Sequence, residues 1–145
     1  MRLNITTTLL AALVLLSMTA HAELEPGKPT VLITGANRGI GLEFVRQLSD
    51  RDWNVIATAR KPEKAEKLQA LAADDPNIVI EQLDVTDYER IEAMAAQYKD
   101  QPIDILLNNA ALTPRYATAF KRVKGVDFDT AMLSYQINAL GTLKM

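Results

Sequence analysis

The stretch Thr30-Val31-Leu32-Ile33-Thr34-Gly35-Ala36-Asn37-Arg38-Gly39-Ile40-Gly41 constrains this chain more than any other. Its opening residues form an apolar, β-branched run with no interior Gly or Pro, the pattern of a buried parallel strand. The run breaks at Gly35. From Ile40 the apolar residues Phe44, Val45 and Leu48 recur at helical spacing. Strand, glycine turn and helix in that order aim free backbone N–H groups and the positive end of a helix dipole at whatever occupies the turn. A phosphate is the natural guest. Gly35 lets the chain turn sharply, Gly39 lets backbone approach the guest, and Gly41 lets the helix pack closely. The spacing is Gly-x-x-x-Gly-x-Gly, and a glycine triplet alone also fits an ordinary turn in an α/β protein. The flanking strand and helix are what favour a nucleotide.

The rest of the chain narrows the chemistry by exclusion. Its 145 residues allow one domain, and an apolar content of 48% is enough for a globular core. The net charge is −2, with both signs interspersed and no basic stripe, which argues against nucleic acid as a main partner. There is no Cys, so disulfides, thiolate nucleophiles and cysteine metal sites are excluded. Met1 to Ala22 reads as a cleavable secretory signal: Arg2 at the start, an apolar Leu9–Met18 core, and a small-x-small site at Ala20-His21-Ala22. That core is well short of the roughly 18–20 residues a bilayer span needs. His21 is the only histidine and leaves with the signal, so a Ser-His-Asp triad and a His-zinc site are excluded as well. Acid–base work then falls to Tyr, Lys, Asp or Glu.

Glu23 to Pro29, with two prolines and a glycine, reads as a linker. A second strand is expected over Asn54–Arg60. A helix starting at Pro62 follows, with Ala65, Leu68, Leu71 and Ala72 buried. A third strand runs from Ile78 to Leu83, and Thr86 or Asp87 caps a helix that buries Ile91, Met94, Ala95 and Tyr98. A fourth strand is expected over Ile103–Leu107. Leu112 to Asp127 reads as a loop, and Phe128, Met132, Tyr135, Ala139 and Leu143 mark a last helix. Strands alternating with helices predict a doubly wound parallel sheet, a Rossmann fold over residues 30–145 that is incomplete at its C-terminus.

The turn Thr-Gly-Ala-Asn-Arg-Gly-Ile-Gly and the run from Asn37 to Leu48 resemble the short-chain dehydrogenase/reductase family, in the branch similar to sniffer and C-factor carbonyl reductases. The resemblance runs from Thr30 to Met145, with the family's motifs in the family's order. It implies strand order third, second, first, fourth, with a cofactor in the crevice between the first and fourth strands. It places Gly35, Asn37, Arg38, Gly39, Ile40 and Gly41 against that cofactor.

A Rossmann protein that uses NAD usually carries an acid at the end of its second strand. This chain has Thr58-Ala59-Arg60 there. A guanidinium fork suits a 2′-phosphate, and Arg38 lies within reach of the same group. NADP is therefore expected over NAD, and the resemblance agrees. A methyltransferase-like domain would want an acid at position 59 or 60. The resemblance further implies that Asp84 accepts from the adenine amino group while Val85 lies along the ring. In Asn108-Asn109-Ala110-Ala111, Asn108 would hold the central sheet and Ala110 would leave room for a ribose. Ala111 departs from the family's glycine. Asn138 matches the family's catalytic asparagine, which orients a water on a proton relay.

The family's other catalytic residues are a Ser and a Tyr-x-x-x-Lys pair. Tyr88, Tyr98, Tyr116 and Tyr135 are followed four residues later by Glu92, Pro102, Phe120 and Ala139. The chain therefore reads as the N-terminal, cofactor-holding part of an NADPH-dependent carbonyl reductase acting on a small-molecule carbonyl or alcohol. The alternative is a dinucleotide-binding module without turnover. The resemblance implies a homo-oligomer for the full-length parent. The signal implies a periplasmic or secreted protein, in tension with a cytoplasmic cofactor, so a cytoplasmic location is the alternative.

Overall fold

The computed structural model describes residues 24–113, 125 and 127–145. The proposed signal, and most of the expected loop with Tyr116, lie outside the described residues. The chain order is β1 (Thr30–Ile33), α1 (Gly39–Ser49), β2 (Asn54–Ala59), a 3-10 turn (Pro62–Lys64), α2 (Glu66–Asp74), β3 (Ile78–Gln82), α3 (Tyr88–Gln97) and β4 (Ile105–Leu107). Then come α4 (Phe128–Tyr135), a π-helical turn (Gln136–Gly141) and α5 (Thr142–Lys144). The strands form one parallel sheet in the order β3-β2-β1-β4.

This order follows from two crossovers running one way and a third running back. The crossovers β1→β2→β3 keep α1 and α2 on one face, and the return to β4 puts α3 on the other. The strands alternate to match. Val31, Ile33, Val55, Ala57 and Ala59 pack with Val45 of α1 and Leu68 of α2. Leu32, Ile56 and Val79 pack with Ile91 and Met94 of α3. All of β1 and β2 is buried, as central parallel strands require.

The structure alters several expectations. Residues 24–29 do not hang free as a linker. Leu24 is buried in the α3-side core. Asn54 Nδ2 donates to the Glu25 carbonyl at 2.9 Å, and the Glu25 N–H returns the bond to Asn54 Oδ1. Lys28 Nζ sits 2.7 Å from Asp52, whose backbone is left-handed at φ 65°. The apolar stripe expected on α1 divides: Val45 is buried, whereas Ile40 is 72% and Phe44 40% exposed. Those two line an open hollow of about 350 Å³ with Gly39, Glu43 and Gln47. On α3, Ile91, Met94 and Tyr98 are buried as expected, but Ala95 is exposed.

Strand β4 is only three residues long and begins at Ile105. The Asp104 N–H instead donates to the Thr30 carbonyl, and Asp104 Oδ2 accepts from the Thr30 N–H at 2.7 Å. On the last helix the expected stripe points outward. Phe128, Met132, Tyr135 and Leu143 are exposed, and Ile137 and Gly141 face the core. Ile137 and Gly141 both belong to the π-helical turn, whose wider period departs from that of the α-helix before it.

Candidate functional site

The glycine turn lies at the C-terminal ends of the strands, fastened on both sides. The Ala36 N–H donates to the Thr58 carbonyl of β2 at 2.8 Å, and the Thr34 N–H to the Leu107 carbonyl of β4 at 3.0 Å. Thr34, 1% exposed, turns its hydroxyl towards the other strand end. Its Oγ1 accepts from the N–H groups of Asn109 and Ala110, each at 3.0 Å. Asn109 Nδ2 donates to the carbonyls of Thr34 at 3.0 Å and Gly35 at 3.1 Å. The asparagine that holds the turn is therefore Asn109. Asn108, expected to hold the central sheet, is exposed. Both Thr34 and Asn109 were missed in the sequence. The only signal for Asn109 was its place in an Asn-Asn doublet.

Gly35 has φ +68°, and a Cβ on it would stand 2.9 Å from Ala110 Cα. Ala110 is thus packed against the turn. Gly41 packs as tightly: a Cβ there would meet Asn109 Nδ2 at 2.5 Å and the Gly35 carbonyl oxygen at 2.6 Å. Gly39 differs. At φ +58° a Cβ on it would project into space with nothing within 4 Å. Backbone is therefore open to an approaching group at Gly39, and closed by packing at Gly35 and Gly41.

The start of α1 is electrostatically uncompensated. Arg38 is the N-cap, its side chain caps no amide, and no acid stands in the first turn. The first-turn N–H groups are left for an outside acceptor. These features suit a phosphate. Asn37 is half-buried beside the turn, Arg38 is exposed, and Ile40 stands out at the mouth.

At the neighbouring strand ends, Arg60 is 70% exposed with Nη1 4.0 Å from Asp84 Oδ2. Asp84 Oδ1 is already committed: it accepts from the Thr86 N–H at 3.0 Å and the Thr86 hydroxyl at 2.7 Å. Val85 is 7% exposed, and a Cβ on Gly141 would stand 2.9 Å from its Cγ2. Its side chain is part of the core, not a free platform for a ring. Asn138 falls in the π-helical turn. Its Oδ1 accepts from the Leu112 N–H at 2.8 Å, and its Nδ2 donates to the Leu112 carbonyl at 3.0 Å. Both ends of its amide thus hold the backbone after β4.

Known proteins are similar to this chain in sequence and fold. An oxidoreductase of Schizosaccharomyces pombe is 36% identical over 114 residues, covering 77% of this chain and 44% of the relative. Among solved structures, NADPH-bound carbonyl reductase from chicken fatty liver matches with a TM-score of 0.71 and 34% identity, over 86% of this chain and 47% of that one. Carbonyl reductase Sniffer of D. melanogaster matches with a TM-score of 0.68 and 27% identity, over 81% of this chain and 48% of that one. The chain spans about half the length of these proteins. The family model for short chain dehydrogenase matches residues 29–145. With the parallel β3-β2-β1-β4 sheet and the glycine turn at its crevice, the chain belongs to the short-chain dehydrogenase/reductase family.

Proposed function

We propose that this chain binds NADP and is the cofactor-holding part of an oxidoreductase that reduces a small-molecule carbonyl. The observation that carries the reading is the uncapped, acid-free start of α1, open at Gly39 and flanked by the exposed guanidinium groups of Arg38 and Arg60. The NADPH bound to the chicken carbonyl reductase and the carbonyl reductase activity in Sniffer's name support it. NADPH, when bound, supplies a hydride to a carbonyl carbon.

The chain's own part is to bind and orient. The N–H groups at the start of α1 hold the diphosphate. Arg38 and Arg60 hold the 2′-phosphate that distinguishes NADP. Thr34 and Asn109 keep the turn in place beneath both. Proton delivery to the reduced oxygen is assigned to residues other than these tyrosines. None precedes a lysine by four positions. Tyr98 is buried and donates to Glu81 Oε1 at 2.7 Å. That same observation favours the second reading, a binding module without turnover, for these 145 residues taken alone.

Titration of the chain with NADPH, followed by nicotinamide fluorescence, tests the proposal. Binding is expected without carbonyl turnover. Replacing Arg38 and Arg60 together by alanine is expected to weaken NADPH about tenfold or more, corresponding to about 1.4 kcal/mol. NADH is expected to lose much less. If NADPH does not bind, or the double variant binds it unchanged, the cofactor assignment fails. Carbonyl reduction by the chain itself would overturn the assignment of the proton donor.

A further inference from the structure

We propose that Asp84 sets how strongly the site prefers a 2′-phosphate, by opposing Arg60 electrostatically. The inference rests on the NADP reading above and goes one step further, to a residue that limits the preference.

The geometry begins with the sheet. Strands β2 and β3 run parallel, with Ala59 opposite Gln82, so the residues just beyond each strand emerge side by side. The Leu83 N–H donates to the Ala59 carbonyl at 3.0 Å, which fixes that exit. Gln82 Nε2 reaches the Arg60 carbonyl at 3.4 Å. Asp84 is then locked by its own turn, with Oδ1 taken by Thr86 and the Asp84 carbonyl accepting from the Asp87 N–H at 2.9 Å. Only Oδ2 remains, and it faces Arg60 Nη1 from 4.0 Å.

That distance lies at the outer limit of an ion pair. Arg60 keeps its guanidinium donors for a ligand, yet a fixed negative charge stands beside it. A 2′-phosphate brings a charge of about −1.5 to −2. Any phosphate that reaches Arg60 comes within the Debye length, roughly 10 Å at 0.1 M salt, of the Asp84 carboxylate. A ribose with a free 2′-hydroxyl brings no charge for that carboxylate to repel. Asp84 therefore lowers affinity for NADP more than affinity for NAD. The pair together gives a preference weaker than Arg60 alone would impose.

The test is the variant Asp84→Asn, whose side-chain oxygen still accepts from Thr86 and preserves the turn. Isothermal titration of the full chain with NADP+ and NAD+ is expected to show the ratio of the two affinities shifting towards NADP+ by about three- to fivefold, the scale of one exposed charge pair. The shift is expected to shrink at high salt, whereas Asp84→Glu, which keeps the charge, leaves the ratio near that of the parent. A ratio unmoved by Asp84→Asn, or both nucleotides weakening together, would overturn the inference and leave Asp84 as a turn residue or an adenine contact. Failure of the unsubstituted chain to bind either nucleotide is a different result, because it removes the NADP reading itself.

Discussion

Thr34 holds more of the site together than its size suggests. One hydroxyl oxygen, almost wholly buried, satisfies the backbone N–H groups of Asn109 and Ala110. Thr34→Val keeps the shape and removes the acceptor, leaving two amide donors without it. The expected cost is about 2–6 kcal/mol in urea unfolding, at one to three per orphaned donor, while Thr34→Ser is expected to lose under about 1 kcal/mol. Equal losses from the two variants would show that the hydroxyl is not what holds the turn. At this scale the sequence was informative wherever the signal is local. Gly35, Gly39 and Gly41 announce a turn by their spacing, and the structure gives each a different reason to be glycine. That Asn109 fastens the turn could not be read in that way. It depends on β1 pairing with β4 so that Ile33 stands opposite Leu107, a match between residues far apart in the chain.

Among the elements, β3 shows how an edge strand is kept safe. Glu81, on its outer half, accepts from Tyr98 Oη at 2.7 Å, Gln97 Nε2 at 2.7 Å and Arg90 Nη2 at 2.7 Å. Arg90 Nε also takes the Gln82 carbonyl at 2.9 Å, so α3 covers part of the edge with charge. Burial, and then the Glu81 carboxylate, push the Tyr98 phenol well above its ordinary value of 10.0. A phenol held neutral in the fold but free to ionise when unfolded contributes stability below about pH 10, and that contribution fades as pH climbs beyond it. Tyr98→Phe is therefore expected to cost about 1 kcal/mol at neutral pH. Between pH 10 and 11.5 it should lose stability less steeply than the parent, as chemical denaturation at stepped pH would reveal. Identical slopes would mean that Tyr98 does not carry this dependence. Helices α2 and α3 were legible because Leu68, and Ile91 with Met94, fall at helical spacing, although Ala95 faces solvent and residues 62–64 form a 3-10 turn before α2 begins at Glu66. The last helix was legible in its extent, Phe128 to Lys144, but not in its inward residues, which are Ile137 and Gly141 of the π-helical turn.

Over the whole molecule the two sheet edges are treated differently. The β3 edge is charged and pinned, but β4 leaves Ile105 and Leu106 each 42% exposed, with Ile103 beside them at 38%. Phe128 and Met132 of α4 form a second uncovered apolar area. Such surfaces drive association. The chain is expected to self-associate at tens of micromolar in sedimentation velocity. Ile105→Lys should shift it towards monomer if the strand edge is the contact, and Met132→Glu should do so if α4 is. Invariant, monomeric behaviour of all three proteins would rule out both faces. The fold class was readable at this scale because strand and helix alternate. The apolar edge at Ile103 to Leu107 was readable too, because that run is the last strand the sequence offers and nothing after it reads as a strand to pair with it. The stitching of the glycine turn to this same strand has a kinetic corollary. The amide protons of Asn109 and Ala110 trade with solvent deuterium only after Thr34 lets go, which happens when β4 parts from β1. Their exchange rates are thus a clock for the opening of the crevice, and whatever settles over the turn should slow both by the same factor.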